Sequence, residues 1–248
     1  MVEYVDCRFC GIKKTYHGPE CMQEWIAWAQ GQVLPGVNQH TATALVGERG
    51  SGKSGGGICI FKQVQQVKPF SVREQVYFRP ADRIHVARRL GKGMVVYGDE
   101  SSGEGGHKRR AMSQANVDNV MDLDTMRQRN QHSVFTAPSL DSLDSAIQEA
   151  CQWVHNFNHA HEVVSYEVIH TGKPDNRHHY LKERFRTPNF PHAQILYPEV
   201  WAELLGLKDD YLAGRDNKRQ EADRARKDKM VNIMLGILQK PGDKKDAP

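Results

Sequence analysis

At 248 residues the chain is long enough for one large domain, or for one domain with small appendages. Hydrophobic residues make up 39%, enough for one α/β core, and the net charge of +4 permits nucleic acid as a partner without demanding it. No apolar run approaches the ~20 residues needed to cross a bilayer, and MVEYVDCRFC lacks signal-peptide architecture. The expected location is therefore cytoplasmic, or the host cytoplasm if the chain is viral.

Residues 1–30 read as a small module. Three of the five cysteines crowd into residues 7–21, which in a reducing compartment suggests metal rather than disulfides. CRFCGIKKTYHGPEC places Cys7 two residues before Cys10, then His17, then Cys21. A hairpin carrying the first two thiolates, with His17 and Cys21 at the start of the next helix, would complete a tetrahedral Zn²⁺ site. The spacing resembles a short treble-clef or zinc-knuckle finger. Four ligands leave no open position, so the zinc would be structural, and a module this small needs it to fold. The alternative is a set of free thiols packed by Trp25 and Trp28. The helix-like ECMQEWIAWAQ and a linker over 31–40 follow.

From 41 to 195 strand-like and helix-like runs alternate. The strand TATALV leads straight into VGERGSGKSGGG, where Gly47, Gly52, Lys53 and Ser54 match G-x-x-x-x-G-K-[ST], the phosphate-binding loop. Backbone N–H groups from Gly47, Glu48, Arg49, Gly50, Ser51, Gly52, Lys53, Ser54 and Gly55 would surround phosphate oxygens. Lys53 would reach the β- and γ-phosphates, the Ser54 hydroxyl would hold Mg²⁺, and a helix over about 53–67 would add its positive end. The strand EQVYF, the helix ADRIHVARRL and the strand GMVVYG come next. That last strand ends in Asp99, placed to hold Mg²⁺, and Glu100, placed to polarise the attacking water. A helix over roughly 112–129 precedes the strand HSVFTA. HEVVSYEVI and HHYLKERFR, separated by TGKPDN, read as a hairpin at the sheet edge. HNFNHAH, at 155–161, could bind a metal, but a polar connection before a strand is the favoured reading. Such alternation argues for a parallel sheet covered by helices.

Beyond residue 195, a helical extension over 196–240 contains YPEVWAELLGL, a charged stretch from Lys208 to Lys229 and the apolar patch MVNIMLGIL. Within it Met230, Ile233, Met234, Ile237 and Leu238 recur at helical spacing. Residues 241–248 have the composition of a disordered tail.

The carboxyl pair and the extra strand point to the ATP-hydrolysing, additional-strand catalytic-glutamate class of phosphate-loop proteins. No guanine-reading N-K-x-D is present. GDE, the Gly-rich loop after it, and RRAMSQANVDNVMDLDTMRQRNQHSVFTAPSLDSLD together resemble the HerA/FtsK-type ATPases. The likeness is greatest to archaeal and viral relatives, including DNA-packaging and zonula-occludens-toxin-like proteins, and spans roughly residues 41–170. It implies a RecA-like core, ATP hydrolysis in an oligomeric ring of five or six subunits, and movement of double-stranded DNA, with a portal, capsid or transfer-apparatus protein as a further partner. Relatives carry a polar sensor at the end of the fourth strand, where this chain has Thr136 or Ser139. Arg127 and Arg129 are candidates for neutralising phosphoryl charge on a neighbouring subunit, against a bland role as helix-end arginines. The basic loop SSGEGGHKRR, with Lys108, Arg109 and Arg110, suits contact with a phosphate backbone. The expected function is an ATP-driven DNA motor. The alternative is an ATP-dependent switch that recruits a partner through its zinc finger and moves nothing.

Overall fold

The computed structural model describes residues 5–6, 13–14, 19–33, 37, 39–79, 82–99, 129–171 and 178–238, the helix beyond Met230 by its backbone alone. Strands β1 (Val5–Asp6) and β2 (Lys13–Lys14) pair antiparallel across the segment where the sequence suggests a hairpin. Helix α1 follows over Met22–Gln32. Then come β3 (Thr41–Val46), α2 (Lys53–Val64), α3 (Val72–Gln75), β4 (Val76–Tyr77), α4 (Arg83–Arg89) and β5 (Val95–Gly98). The next elements are β6 (His132–Ala137), a 3₁₀ turn at Leu140–Ser142, α5 (Ser145–Ala150) and β7 (Trp153–Phe157). The chain continues through β8 (Val163–Thr171), β9 (His178–Thr187), α6 (Ala193–Leu196) and α7 (Pro198–Leu238).

Seven of these strands form one sheet in the order β4-β5-β6-β3-β7-β8-β9. The pairs from β4 to β7 are all parallel, whereas β7–β8 and β8–β9 are antiparallel. The fold is thus mixed α/β, with a mostly parallel sheet flanked by helices, as the alternating pattern implies. In β3 the residues alternate between two covered faces. Ala42, Ala44 and Val46 share a core with Val86, Leu90, Leu143 and Ile147, so α4, the 3₁₀ turn and α5 lie on that side. Leu45 lies on the other side with α2, whose Phe61 meets Tyr97 edge-on at 6.2 Å. Trp25 brings α1 onto the same side, with its ring 5.9 Å from Phe61 and 4.4 Å from His155. Both faces being covered, β3 and β6 are buried at every residue, and parallel strands read as continuous runs for this reason.

Two elements differ from the sequence reading. EQVYF pairs only at Val76 and Tyr77, because Gln75 ends the short helix α3 and turns its side chain inward. The edge of β5 that a longer strand would cover is closed by two side-chain amides. Val95 N–H donates to Gln65 Oε1 at 2.8 Å, and Gln75 Nε2 donates to Val95 O at 2.7 Å. WVHNF is a central strand rather than a connection; its polar His155 is fully buried and bonded through Nδ1 to Ser165 Oγ at 2.9 Å. The C-terminal stretch from Pro198 to Leu238 is one continuous helix. Pro198 starts it, where a missing N–H does no harm, and its charged middle is rich in good helix formers.

By its contacts the chain divides into two units, residues 1–204 and 205–248. In the second, Met230 is exposed. The side chains of Ile233, Met234, Ile237 and Leu238 lie outside the described residues, as does the tail after 238. Among the described residues no helix is long and apolar enough to cross a membrane.

Two buried histidines give the fold an acid limit. His132 bonds through Nδ1 to Thr41 Oγ1 at 2.7 Å, and burial pushes its pKa down to about 3, as it does that of His155. Between pH 6.5 and 3 the unfolded chain binds protons that the folded chain refuses, so stability falls as pH falls through that window. Each histidine contributes at most ~1.4 kcal/mol per pH unit. Urea midpoints should therefore drop from pH 7 to pH 5, and His132→Asn should flatten the dependence by up to one proton.

Candidate phosphate-loop site

The parallel strands β3, β5, β6 and β7 all end at one edge of the sheet, and residues from all four meet there. Pairing of Val46 with Ala137 and with Asn156 sets the levels of these ends. The loop from Gly47 to Gly52 leaves β3 and enters α2. Gly50 and Gly52 have φ of 83° and 88°, a left-handed backbone that only glycine adopts freely, and this curls the loop into a concave turn. Gly47 is required for space, since a Cβ there would run into the Phe157 carbonyl oxygen.

Inside the turn, Lys53 Nζ donates to the carbonyl oxygens of Gly47 and Glu48, both at 2.7 Å. Ser54 Oγ donates to Asp99 Oδ1 at 2.7 Å. Asp99 is only 1% exposed, and a carboxyl so buried needs donors; Thr136 Oγ1 supplies another at 3.2 Å. The Tyr97 hydroxyl donates to Ser54 O at 3.3 Å, and burial together with Asp99 raises its pKa well above the ordinary range, which keeps it a donor. Ser51 Oγ is buried inside the loop without a hydrogen-bond partner among the described residues.

These residues fit a chain of phosphates. The glycines leave room that a Cβ would fill, the orphaned Ser51 hydroxyl lies within the loop, and a lysine ammonium is held at its mouth. Ser54 and Asp99 are the hard oxygen donors that Mg²⁺ takes. The Glu48 side chain is 85% exposed and pairs with His159 at 3.2 Å. Glu100 and Arg127 lie outside the described residues, as do Lys108, Arg109 and Arg110. Arg129 precedes the start of β6, at the sheet edge opposite the loop. There its Nη1 donates to Ala87 O at 3.2 Å, beside Gln131 Nε2 at 2.9 Å, and both cap the end of α4. A strand of six residues spans about 20 Å, so Arg129 is far from its own loop. Ser139 is taken up by a capping box with Ser142.

Of the expected zinc ligands, Cys7, Cys10 and His17 lie outside the described residues. Cys21 is buried at the residue before α1 and is in no disulfide. Among the described residues no three His, Cys, Asp or Glu side chains converge as a metal site.

The structure adds neighbours that sequence reasoning missed. Phe157 and His159 come from the end of the unrecognised strand β7 and the turn after it. His192 comes from the segment before α6. The signal that could have found them is the run Gly55-Gly56-Gly57 at the start of α2, since each glycine costs about 1 kcal/mol relative to alanine in a helix. A Cβ at Gly55 would strike the His192 ring, one at Gly56 the Phe157 ring, and one at Gly57 the Tyr97 hydroxyl and Leu45, in every case under 3.0 Å.

Among solved structures, the chain is similar to the N-terminal domain of zonular occludens toxin from Neisseria meningitidis, at 12% identity and a TM-score of 0.39. That likeness covers 58% of this chain and 94% of the other. No family model and no curated protein matches the chain.

The packing yields a sign test. Alanine normally stabilises a helix relative to glycine, but at position 57 its methyl must displace Tyr97 and Leu45, both fully buried. Gly57→Ala should destabilise the fold by about 1–3 kcal/mol, the usual cost of overpacking. A raised Tm in a thermal melt would show that the contact yields.

Proposed function

We propose that the chain is a RecA-like P-loop ATPase that hydrolyses ATP with Mg²⁺ and works as an oligomeric motor on double-stranded DNA. The observation that carries the ATPase reading is the Ser54–Asp99 contact at 2.7 Å, made across a sheet in which β6 lies between the loop strand and the carboxyl strand. That order is the one expected of the additional-strand class. Lys53 would exchange its two carbonyl partners for the β- and γ-phosphates, and Ser54 and Asp99 would hold the metal. Bound magnesium supplies neutralising charge to the phosphate oxygens. Thr136 orients Asp99, and Glu100, next in the chain, would act as base toward the attacking water.

The motor part rests on sequence. The basic, Gly-rich run SSGEGGHKRR suits a backbone of phosphates, and residues 41–170 resemble HerA/FtsK-type ATPases. In a ring, Arg127 would serve the site of a neighbouring subunit. The N-terminal cysteines would fold a zinc finger beside this core.

ATP turnover should rise when duplex DNA is added, and DNA binding should weaken steeply with salt. Lys53→Ala should abolish turnover, whereas Glu100→Gln should bind nucleotide and fail to hydrolyse it. Tight nucleotide binding with negligible turnover, with or without DNA, would make the protein a switch. For the finger, elemental analysis should give about one zinc per chain, reduced in Cys10→Ser.

A further inference from the structure

We infer that His192 is a nucleoside-contacting residue of the phosphate-loop site, its Nε2–H donating to an oxygen of the ribose. The inference rests on the nucleotide reading above and adds to it a residue that no motif marks.

Its position comes from the glycines. The space where Gly55 would carry a Cβ lies within 3.0 Å of Nε2, Cδ2 and Cε1 of His192, and the same position at Gly52 lies 3.6 Å from Cδ2. The imidazole therefore covers the first turn of α2 from Gly52 to Gly55. Successive helical residues are rotated by about 100°, so this side of the turn is distinct from the one where Ser54 meets Asp99. Lysine and serine of such a loop mark the β/γ end of the phosphate chain and its metal, while backbone N–H groups take the α-phosphate. The nucleoside must then leave on another side. His192 stands over the turn that carries the last of those N–H groups, from Gly52 to Gly55.

The chemistry of the ring is also fixed. Nδ1 accepts the Gln194 N–H at 3.1 Å, so a neutral ring carries its proton on Nε2, the atom nearest the Gly55 space. Burial and the neighbouring His161 hold the pKa below the ordinary histidine value, which favours this neutral donor. Trp201 backs the ring edge-on at 4.6 Å, and Phe190 N–H, bonded to His161 O at 2.6 Å, fixes the chain two residues earlier. The Ser51 hydroxyl of the same loop is buried without a hydrogen-bond partner among the described residues, which leaves it open to a polar ligand.

The test compares ATP with tripolyphosphate, each with Mg²⁺, by calorimetric titration of the full chain. Wild type should bind both. His192→Phe fills the same space without a donor, and should lose about tenfold in ATP affinity, the scale of one hydrogen bond, while tripolyphosphate binding stays within twofold. His192→Ala should do the same, with folding checked by thermal melt. Unchanged ATP affinity in the folded variants would overturn the inference. So would an equal loss for both ligands, since that would make the ring a support of the loop. Wild-type protein that binds neither ligand would remove the nucleotide reading itself, and this inference with it.

Discussion

Helix α2 approaches its neighbours at backbone distance, and most of the site follows from that. A helix with ordinary side chains at positions 55 to 57 would have to move away from Phe157, from Tyr97 and Leu45, and from His192. Three consecutive glycines lower the intrinsic stability of the helix, yet they let its first turn sink toward the carboxyl ends of β3 and β5. Packing compensates for the lost propensity: Ile58, Cys59, Ile60 and Phe61, in the turn that follows, are all fully buried. The glycine run is therefore part of the fold as much as of the loop.

The second constraint is the burial of Asp99. A carboxyl almost without solvent must find donors, and two of them come from α2 and β6, the elements that such a site needs at the same point. Strand order makes this possible. With β6 between β3 and β5, Thr136 rises between the phosphate loop and Asp99, and its hydroxyl is within reach of the carboxyl. The carboxyl ends of these parallel strands are where open α/β sheets bind their ligands.

Elsewhere the same economy of polar groups recurs. Gln65 and Gln75 complete hydrogen bonding along the edge of β5 where β4 is too short. Gln131 and Arg129 close the end of α4. His132 and His155 each bond a hydroxyl across to an adjacent strand. Each of these side chains substitutes for a missing backbone partner or bonds a neighbour through one of its polar atoms, while Gln131 Oε1, His132 Nε2 and His155 Nε2 are buried without a hydrogen-bond partner among the described residues.

The sequence by itself determined the features that local chemistry dictates. The glycines, lysine and serine of the loop are a pattern that few other structures require. TATALV and HSVFTA became strands with the bounds that their composition suggests, and the turn residues TGKPDN separated the two strands of the edge hairpin. Asp99 was legible because an apolar run ended in acid. What only the tertiary structure decided were features whose cause lies far along the chain. WVHNF does not read as a strand because His155 and Asn156 are polar; Ser165, ten residues away, and the Trp25 ring, 130 residues away, make the histidine acceptable in the core. EQVYF was cut short because a glutamine amide could replace backbone pairing. His192 was invisible because nothing in its own neighbourhood tells that it fills a space left by Gly55. Periodicity and motif report what a segment needs from water and from its own backbone, whereas partner identity depends on which strands the sheet sets side by side.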